Sequence, residues 1–510
     1  MLRVRSVLIV GGGTAGWMAA AYLARVLGRE IAITLVESPE IGTIGVGEGT
    51  FPSIRGTLST IGIDEADFLR KANATFKQGV HFVDWVRAPG SAGVNSYFHP
   101  FSVPSYRGDG LELLPYWLLG AAGKDVAFAE AVTLQKKVAD AARAPKRLKD
   151  GAYQGALNYA YHFDAVRFAG CLRGEAVALG VRHLQAKVRD VELDERGDVA
   201  RVVTDDHGAL SADLYIDCSG FQALIIGKAL GVPFKNLNDQ LFVDRAVALQ
   251  VPYPRPDHPI ASYTISTARE AGWIWDIGLR ERRGTGYVYS SRYSDDDRAE
   301  QVLRDYVGSS GDGLSARRLK LNCGYRTVQW VGNCAAIGLA AGFLEPLEAS
   351  GIGLIEAAVY LIAHLFPLGG EMAEVSRQFN AQMTGRFERI AAFLKLHYCL
   401  SQRTDSQFWI DNADPRTIPD ALADKLAMWR TRPPHRLDFI ADMEMYPTSS
   451  WQFVLYGMEF QTALDAARYP RFDDAVREMR NIRLVAERAR GDLPTHRELI
   501  ERLYAGTVAA

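Results

Sequence analysis

Residues 6–10, S-V-L-I-V, are a short apolar run rich in valine and isoleucine, which predicts a first strand. Helical spacing of apolar residues follows from 17 to about 27, and a second apolar run at 31–36 predicts the next strand, closing on Glu37. From 181 to 212 apolar and polar residues alternate. The runs 183–191 and 199–204, separated by polar residues 194–197, predict a hairpin, and 212–216 predicts a strand closing on D-C-S-G-F, 217–221. Strand patterns at 246–252, 263–267, 272–279 and 286–291 predict a mixed or antiparallel sheet in a second domain. Within it, W-I-W-D-I places Trp273 and Trp275 on one side of a strand, because side chains alternate faces. Beyond residue 352 the spacing turns helical, over 352–366, 374–401, 419–430 and from about 463 onward.

This order of elements predicts an α/β chain, α+β overall: a Rossmann-like domain, an inserted mixed or antiparallel sheet, and a C-terminal helical region. The join between the first strand and helix reads G-G-G-T-A-G, residues 11–16. In that setting Gly11 permits a tight turn, Gly13 lets the backbone approach a pyrophosphate, and Gly16 allows close packing of helix on strand, with Thr14 and Ala15 at the helix start facing the phosphate charge. Glu37 stands roughly 25 residues beyond Gly11, near the spacing at which an acid bonds an adenosine ribose. A second glycine-rich stretch, I-G-V-G-E-G-T-F-P at 44–52, is a candidate to lie along the same cofactor through Val46 and Gly47; an ordinary surface turn is the alternative. No second strand, glycine loop and helix is present for a nicotinamide cofactor.

Composition narrows the setting. With 510 residues, 48% hydrophobic and 23% charged, the chain is long enough for a deep site in a folded globular protein. A formal net charge of -2 gives no electrostatic reason for nucleic acid or an anionic membrane as partner. Five widely spaced cysteines, without a C-x-x-C pair, suit reduced thiols in a cytoplasm and no metal site. The most membrane-like stretch, 349–368, is interrupted by Glu356, His364 and Pro367, so a buried helix is expected there.

Three places carry candidate chemistry. Lys77 lies in T-F-K-Q-G, flanked by Phe76 and apolar neighbours, where partial burial would perturb its reactivity. His99 and Phe101 belong to the aromatic cluster Y-F-H-P-F, either a core or a substrate wall. The stretch 332–354, G-N-C-A-A-I-G-L-A-A-G-F-L-E-P-L-E-A-S-G-I-G-L, is poor in bulky side chains until Glu348 precedes a predicted helix start at Ser350-Gly351. Backbone N–H groups at such a start can hold an anion.

Taken together, G-G-G-T-A-G-W, T-F-K-Q-G, W-x-W-x-I and G-L-A-A-G-F-L-E-P-L-E-A-S-G resemble the flavin-dependent tryptophan halogenase family over nearly the whole chain. The resemblance implies that reduced FAD, O2 and halide give hypohalous acid, which travels through a tunnel to an aromatic substrate. Its essential lysine matches Lys77, which either bonds hypohalous acid or carries the halogen as a haloamine. Its essential glutamate matches Glu348, its halide-holding amides match Ser350 and Gly351, and its flavin-separating pair matches Trp273 and Trp275. Val188, Leu339 and Ile352 join the glycine loops as cofactor contacts, and His99, Phe101 and Trp451 are expected to grip an indole-like ring. Residues 1–350 then form the FAD-binding module, with a substrate-side sheet inserted at about 75–150 and 245–330, and 351–510 complete the substrate site. A separate NAD(P)H flavin reductase is the implied partner, with room for a homodimer.

Two departures stand out. Gly278 follows Ile277 where the family's motif has proline, and Ala349 replaces a serine, from which we expect bromide to be preferred over chloride. The C-terminal region also offers one tyrosine, Tyr446, and no acid between it and Trp451, so indole or a larger indole-like aromatic is expected in place of free tryptophan. The competing readings are an FAD-dependent aromatic hydroxylase, which needs substrate beside the flavin, and a flavoprotein without activity.

Overall fold

The structure is a computed structural model that describes residues 4–40, 42, 47–106, 108–440 and 444–506. Val46 and most of the loop before it therefore lie outside the described residues. The chain divides into two compact units. One comprises residues 1–74, 163–238 and 322–388, the other 75–162, 239–321 and 389–510. The expected cut at 350/351 is not where they part, because the helix Ser350–His364 stays in the first unit, packed on the helix Thr14–Leu27.

The first unit is built on a six-stranded sheet in the order Trp330–Val331, Cys334–Ala336, Leu214–Asp217, Ser6–Val10, Ala32–Glu37, Arg182–Gln185. All neighbours are parallel except the first pair. Val7 to Val10 are buried, which explains an apolar run without alternation: a central parallel strand is covered on both faces. The helix Thr14–Leu27 is buried from Gly16 to Leu23, with the helix Ala165–Ala178 and the helix Ser350–His364 against it. The expected hairpin is shorter than its alternation suggested. Arg182–Gln185 belongs to the parallel sheet, and only Val188–Leu193 and Val199–Thr204 pair as a hairpin. The chain changes sheets between Ala186 and Lys187, where the Ala186 amide donates to Glu37 O at 2.9 Å while the Lys187 amide donates to the Asp205 carboxylate at 2.8 Å.

The second unit is built on a seven-stranded sheet in the order Arg317–Lys320, Arg245–Pro252, Arg282–Tyr289, Gly272–Gly278, Thr264–Arg269, Gly79–Val83, Ser96–Pro100. It is mixed: only the Thr264–Arg269 and Gly79–Val83 pair is parallel. The helix Asp296–Val307 covers Val247, Leu249, Ile274 and Tyr287. The helix Thr448–Gly457 packs on the strand Ser96–Pro100. No helix among the described residues is long and apolar enough to cross a membrane, and all five cysteines are free.

Candidate active site

In the first unit the glycine turn has the geometry of a cradle. Gly11 has φ +118°, and a Cβ there would lie 2.2 Å from Cys218 O; one on Gly16 would lie 1.9 Å from Gly11 O. Both positions exclude side chains to bring strand, turn and helix together. Gly13, the residue before the helix Thr14–Leu27, has nothing within 4 Å of its missing Cβ. An anion therefore has open access to the unpaired N–H groups of that helix end. Glu37 ends its strand with the carboxylate packed on Gly12, where a Cβ would strike Oε2, and with Oε1 2.8 Å from His183 Nε2. Gly338, next to Leu339, leaves no room for a side chain beside the Ala15 methyl, which a Cβ would meet at 2.7 Å. Gly47 is buried, and Val188 packs on the hairpin cluster with Val202 and Ile225. These residues fit an extended dinucleotide.

Glu348 ends the short turn Pro346–Glu348 and is 1% exposed. Ala349 follows with φ 56°, ψ 36°, a left-handed backbone that turns the chain directly into the helix Ser350–His364. Ser350 is fully buried and its Oγ has no hydrogen-bond partner among the described residues. Gly351 faces open space, and Ile352 is buried. A buried hydroxyl donor, an open glycine and the first turn of a fifteen-residue helix thus meet at one point, a combination suited to a small anion. Further along this helix, the Glu356 carboxylate accepts from Ser53 Oγ at 3.0 Å and Thr57 Oγ1 at 2.5 Å, and burial raises it to about 7. Glu48, beside the second glycine loop, is also raised to about 7, by burial and then by the charge of Asp164.

The second unit gathers Lys77 and the aromatic candidates. Lys77 ends the strand Thr75–Lys77 and is 1% exposed, with Nζ 5.2 Å from the Phe101 ring centroid. Thr75 Oγ1 donates to Gly278 O at 2.5 Å, which ties the lysine strand to the end of the two-tryptophan strand. This also accounts for the departure at Gly278, where a Cβ would meet Ile260 Cγ2 at 2.8 Å and Tyr253 Oη at 3.1 Å. Trp273 and Trp275 are buried, edge to face with centroids 6.5 Å apart. Trp275 lies flat on Gly286, where a Cβ would sit 2.1 Å from Cη2.

His99 Nε2 lies 2.9 Å from Ser450 Oγ, and Phe393 joins it to Trp451, with centroids 6.0 Å from His99 and 5.0 Å from Trp451. Tyr446 stacks on Phe393 at 4.0 Å. Phe393 and Ser450 stand against these candidates, and sequence reasoning did not assign them a role; Phe393 reads only as one apolar position in a helical stretch. The two acids that flank this region are both paired: Glu444, its side chain 6% exposed, lies 3.0 Å from Arg389 Nε, and Glu459 pairs with Arg87.

The comparisons agree with this geometry. The tryptophan halogenase family model matches residues 6–472. The tryptophan 6-halogenase SttH of Streptomyces toxytricini is 38% identical over 470 residues, 88% of each chain. A tryptophan halogenase from Shewanella frigidimarina has a structure that superposes with a TM-score of 0.94 at 41% identity, over 99% of this chain and 98% of that one. BrvH, a flavin-dependent halogenase from Brevundimonas sp. BAL3, gives 0.87 at 35%, over 98% and 99%. The hydroxylase and inactive-flavoprotein readings fall away, and the chain belongs to the tryptophan halogenase family, a flavin-dependent halogenase.

Proposed function

We propose that this enzyme halogenates indole, or a larger indole-like aromatic without an amino-acid head group, and prefers bromide. The observation that carries the substrate reading is the pairing of Glu444 with Arg389 and of Glu459 with Arg87. A buried ammonium needs a carboxylate, since an uncompensated buried charge is costly. Both acids flanking Tyr446 and Trp451 already neutralise arginines. The walls that remain, His99, Phe101, Phe393 and Trp451, grip a flat ring by dispersion and quadrupole contacts.

In this reading Gly11, Gly13, Thr14, Ala15, Gly16 and Glu37 hold the adenosine pyrophosphate half of FAD, and Val46, Gly47, Val188, Leu339 and Ile352 contact the rest. When bound in its reduced form, which a separate NAD(P)H flavin reductase supplies, FAD provides the two electrons that turn O2 and halide into hypohalous acid and water. Ser350 and Gly351 hold the halide through the Ser350 hydroxyl and the helix-start N–H groups. Lys77 holds the electrophile, either by hydrogen bonding to hypohalous acid or as a haloamine. Glu348 accepts the proton that the ring loses after halogen adds, and Trp273 and Trp275 keep substrate from reacting at the flavin. A panel of aromatics with FAD, a flavin reductase and either chloride or bromide, read by mass spectrometry, tests the reading. Halogenated indoles are expected, and oxygenated products without halogen would overturn it.

A further inference from the structure

The imidazole of His99 is held by a residue of another element. His99 stands on the strand Ser96–Pro100, at the edge of the seven-stranded sheet, and the helix Thr448–Gly457 packs on that strand. One turn of this helix meets the ring. Ser450 Oγ lies 2.9 Å from His99 Nε2, and Phe453, three residues on and so on the same helix face, brings its ring centroid to 6.2 Å from that of the imidazole, tilted by 38°. The Phe393 ring stands 6.0 Å away, turned by 66°. His99 and Ser450 are both buried, and among the described residues the Ser450 hydroxyl makes no other hydrogen bond. The last side-chain torsion of a histidine is broad, so covalent structure alone leaves the plane of the ring loosely set. A hydroxyl both donates and accepts, so it closes on Nε2 in either tautomer and pins one edge of the ring.

We propose that Ser450 is a positioning residue that sets the angle at which the aromatic substrate meets Lys77: its hydroxyl fixes the plane of the His99 ring, and the fixed ring sets the plane of the substrate packed on it. The proposal rests on the reading of His99 as a residue that grips the substrate ring. Aromatic pairs prefer offset-stacked or edge-to-face arrangements, so a ring that tilts takes its partner with it. Phe101 lies two residues beyond His99, and Lys77 Nζ stands 5.2 Å from its ring centroid. A tilt of the substrate at its His99 end therefore moves the ring carbon offered at its Lys77 end. Reaction is sensitive to such a shift, since misplacement by about 1 Å costs up to about 10²-fold in rate. Binding is less so, because a tilted ring still buries its apolar faces. The signature of a lost Ser450 hydroxyl is thus a lower kcat at nearly the same KM.

Variants at both positions test this with indole, bromide, FAD and a flavin reductase. S450A removes the hydroxyl, and S450C removes it while nearly keeping the side-chain volume. Both are expected to lose about 10-fold in kcat with KM for indole changed by less than about threefold. Reduced flavin should still be oxidised, so less halogenated product forms per flavin consumed. An unchanged kcat in S450A, or a loss in S450A that S450C does not share, would overturn the proposal, the second because it would assign the effect to packing. H99F keeps an aromatic face without a nitrogen. Adding S450A to H99F should cost nothing further, because the hydroxyl acts only through the imidazole; a repeat of the full loss in the double variant would overturn the proposal. H99A in the same assay separates the two levels. If H99A matches the unmutated enzyme in kcat and KM, the reading of His99 fails; if H99A is impaired and S450A is not, the positioning role alone fails. Nitrogen-15 histidine spectra, with His99 assigned by its absence in H99A, give a check apart from turnover: the Nε2 signal should move in S450A, and a signal that stays in place would contradict the bond.

Discussion

Lys77 Nζ stands 5.2 Å from the centre of the Phe101 ring, inside a wall that leaves the lysine 1% exposed. A charged or reactive amine held over an aromatic face is placed against the surface a flat substrate would share. Lys77→Ala should therefore abolish halogenation while FAD binding and oxygen-dependent oxidation of reduced flavin persist, because the glycine cradle is a separate segment of chain. Glu348→Gln should slow turnover by about 10²-fold or more, the usual cost of losing a positioned proton acceptor. Single-turnover assays of product and of flavin oxidation, run side by side, check both; retained product in Lys77→Ala would remove the lysine from the mechanism.

The turn at Ala349 bears on the halide. Its backbone is left-handed at φ 56° and its methyl offers no donor beside Ser350. Chloride, the more strongly hydrated and less easily oxidised halide, loses more when donors are few. Bromination should outpace chlorination in direct competition, and Ala349→Ser should raise chlorination more than bromination. Faster chlorination by the unmutated enzyme would refute this.

Gly286 is a packing requirement of Trp275. A methyl there would fall 2.1 Å from the indole ring, which belongs to a strand buried along its whole length. Gly286→Ala should destabilise the protein by about 1–3 kcal/mol, as overpacking of a core does, read from the midpoint of denaturant unfolding. An unchanged midpoint would show that the indole moves freely.

Glu356 predicts a pH dependence of stability. Its folded value is raised to about 7, above that of an unfolded glutamate, mainly by burial. The folded state therefore binds the proton more tightly, so the contribution is fully present below about pH 4.3 and is lost as pH rises through 7. The loss is on the order of 3–4 kcal/mol at full ionisation. Glu356→Gln, which keeps partners for Ser53 and Thr57, should gain stability relative to the unmutated enzyme as pH rises from 5 to 8, measured by thermal unfolding. A pH-independent difference would contradict the assignment.

Local signals were the legible ones. The run S-V-L-I-V, the glycines at 11, 13 and 16 and the W-x-W strand announce themselves because a central strand, a tight turn and an alternating face depend on neighbours within a few residues. Long-range register was not legible. Nothing near Lys77 says that its strand lies beside Ala160–Phe163. The alternation through residues 183–191 likewise gave no hint that the chain changes sheets at Ala186. The state of Glu444 and Glu459 depends on arginines at 389 and 87, which are set beside them only by folding.

That last pairing underlies the central claim, and one comparison tests it: kcat/KM for indole and for free tryptophan under the same halide and reductase, with the position of the halogen determined. A higher value is expected for indole, halogenated at its most electron-rich carbon. A clear preference for tryptophan with a single product on the benzene ring would contradict it, because the ammonium would then have found a carboxylate that the paired Glu444 and Glu459 do not offer.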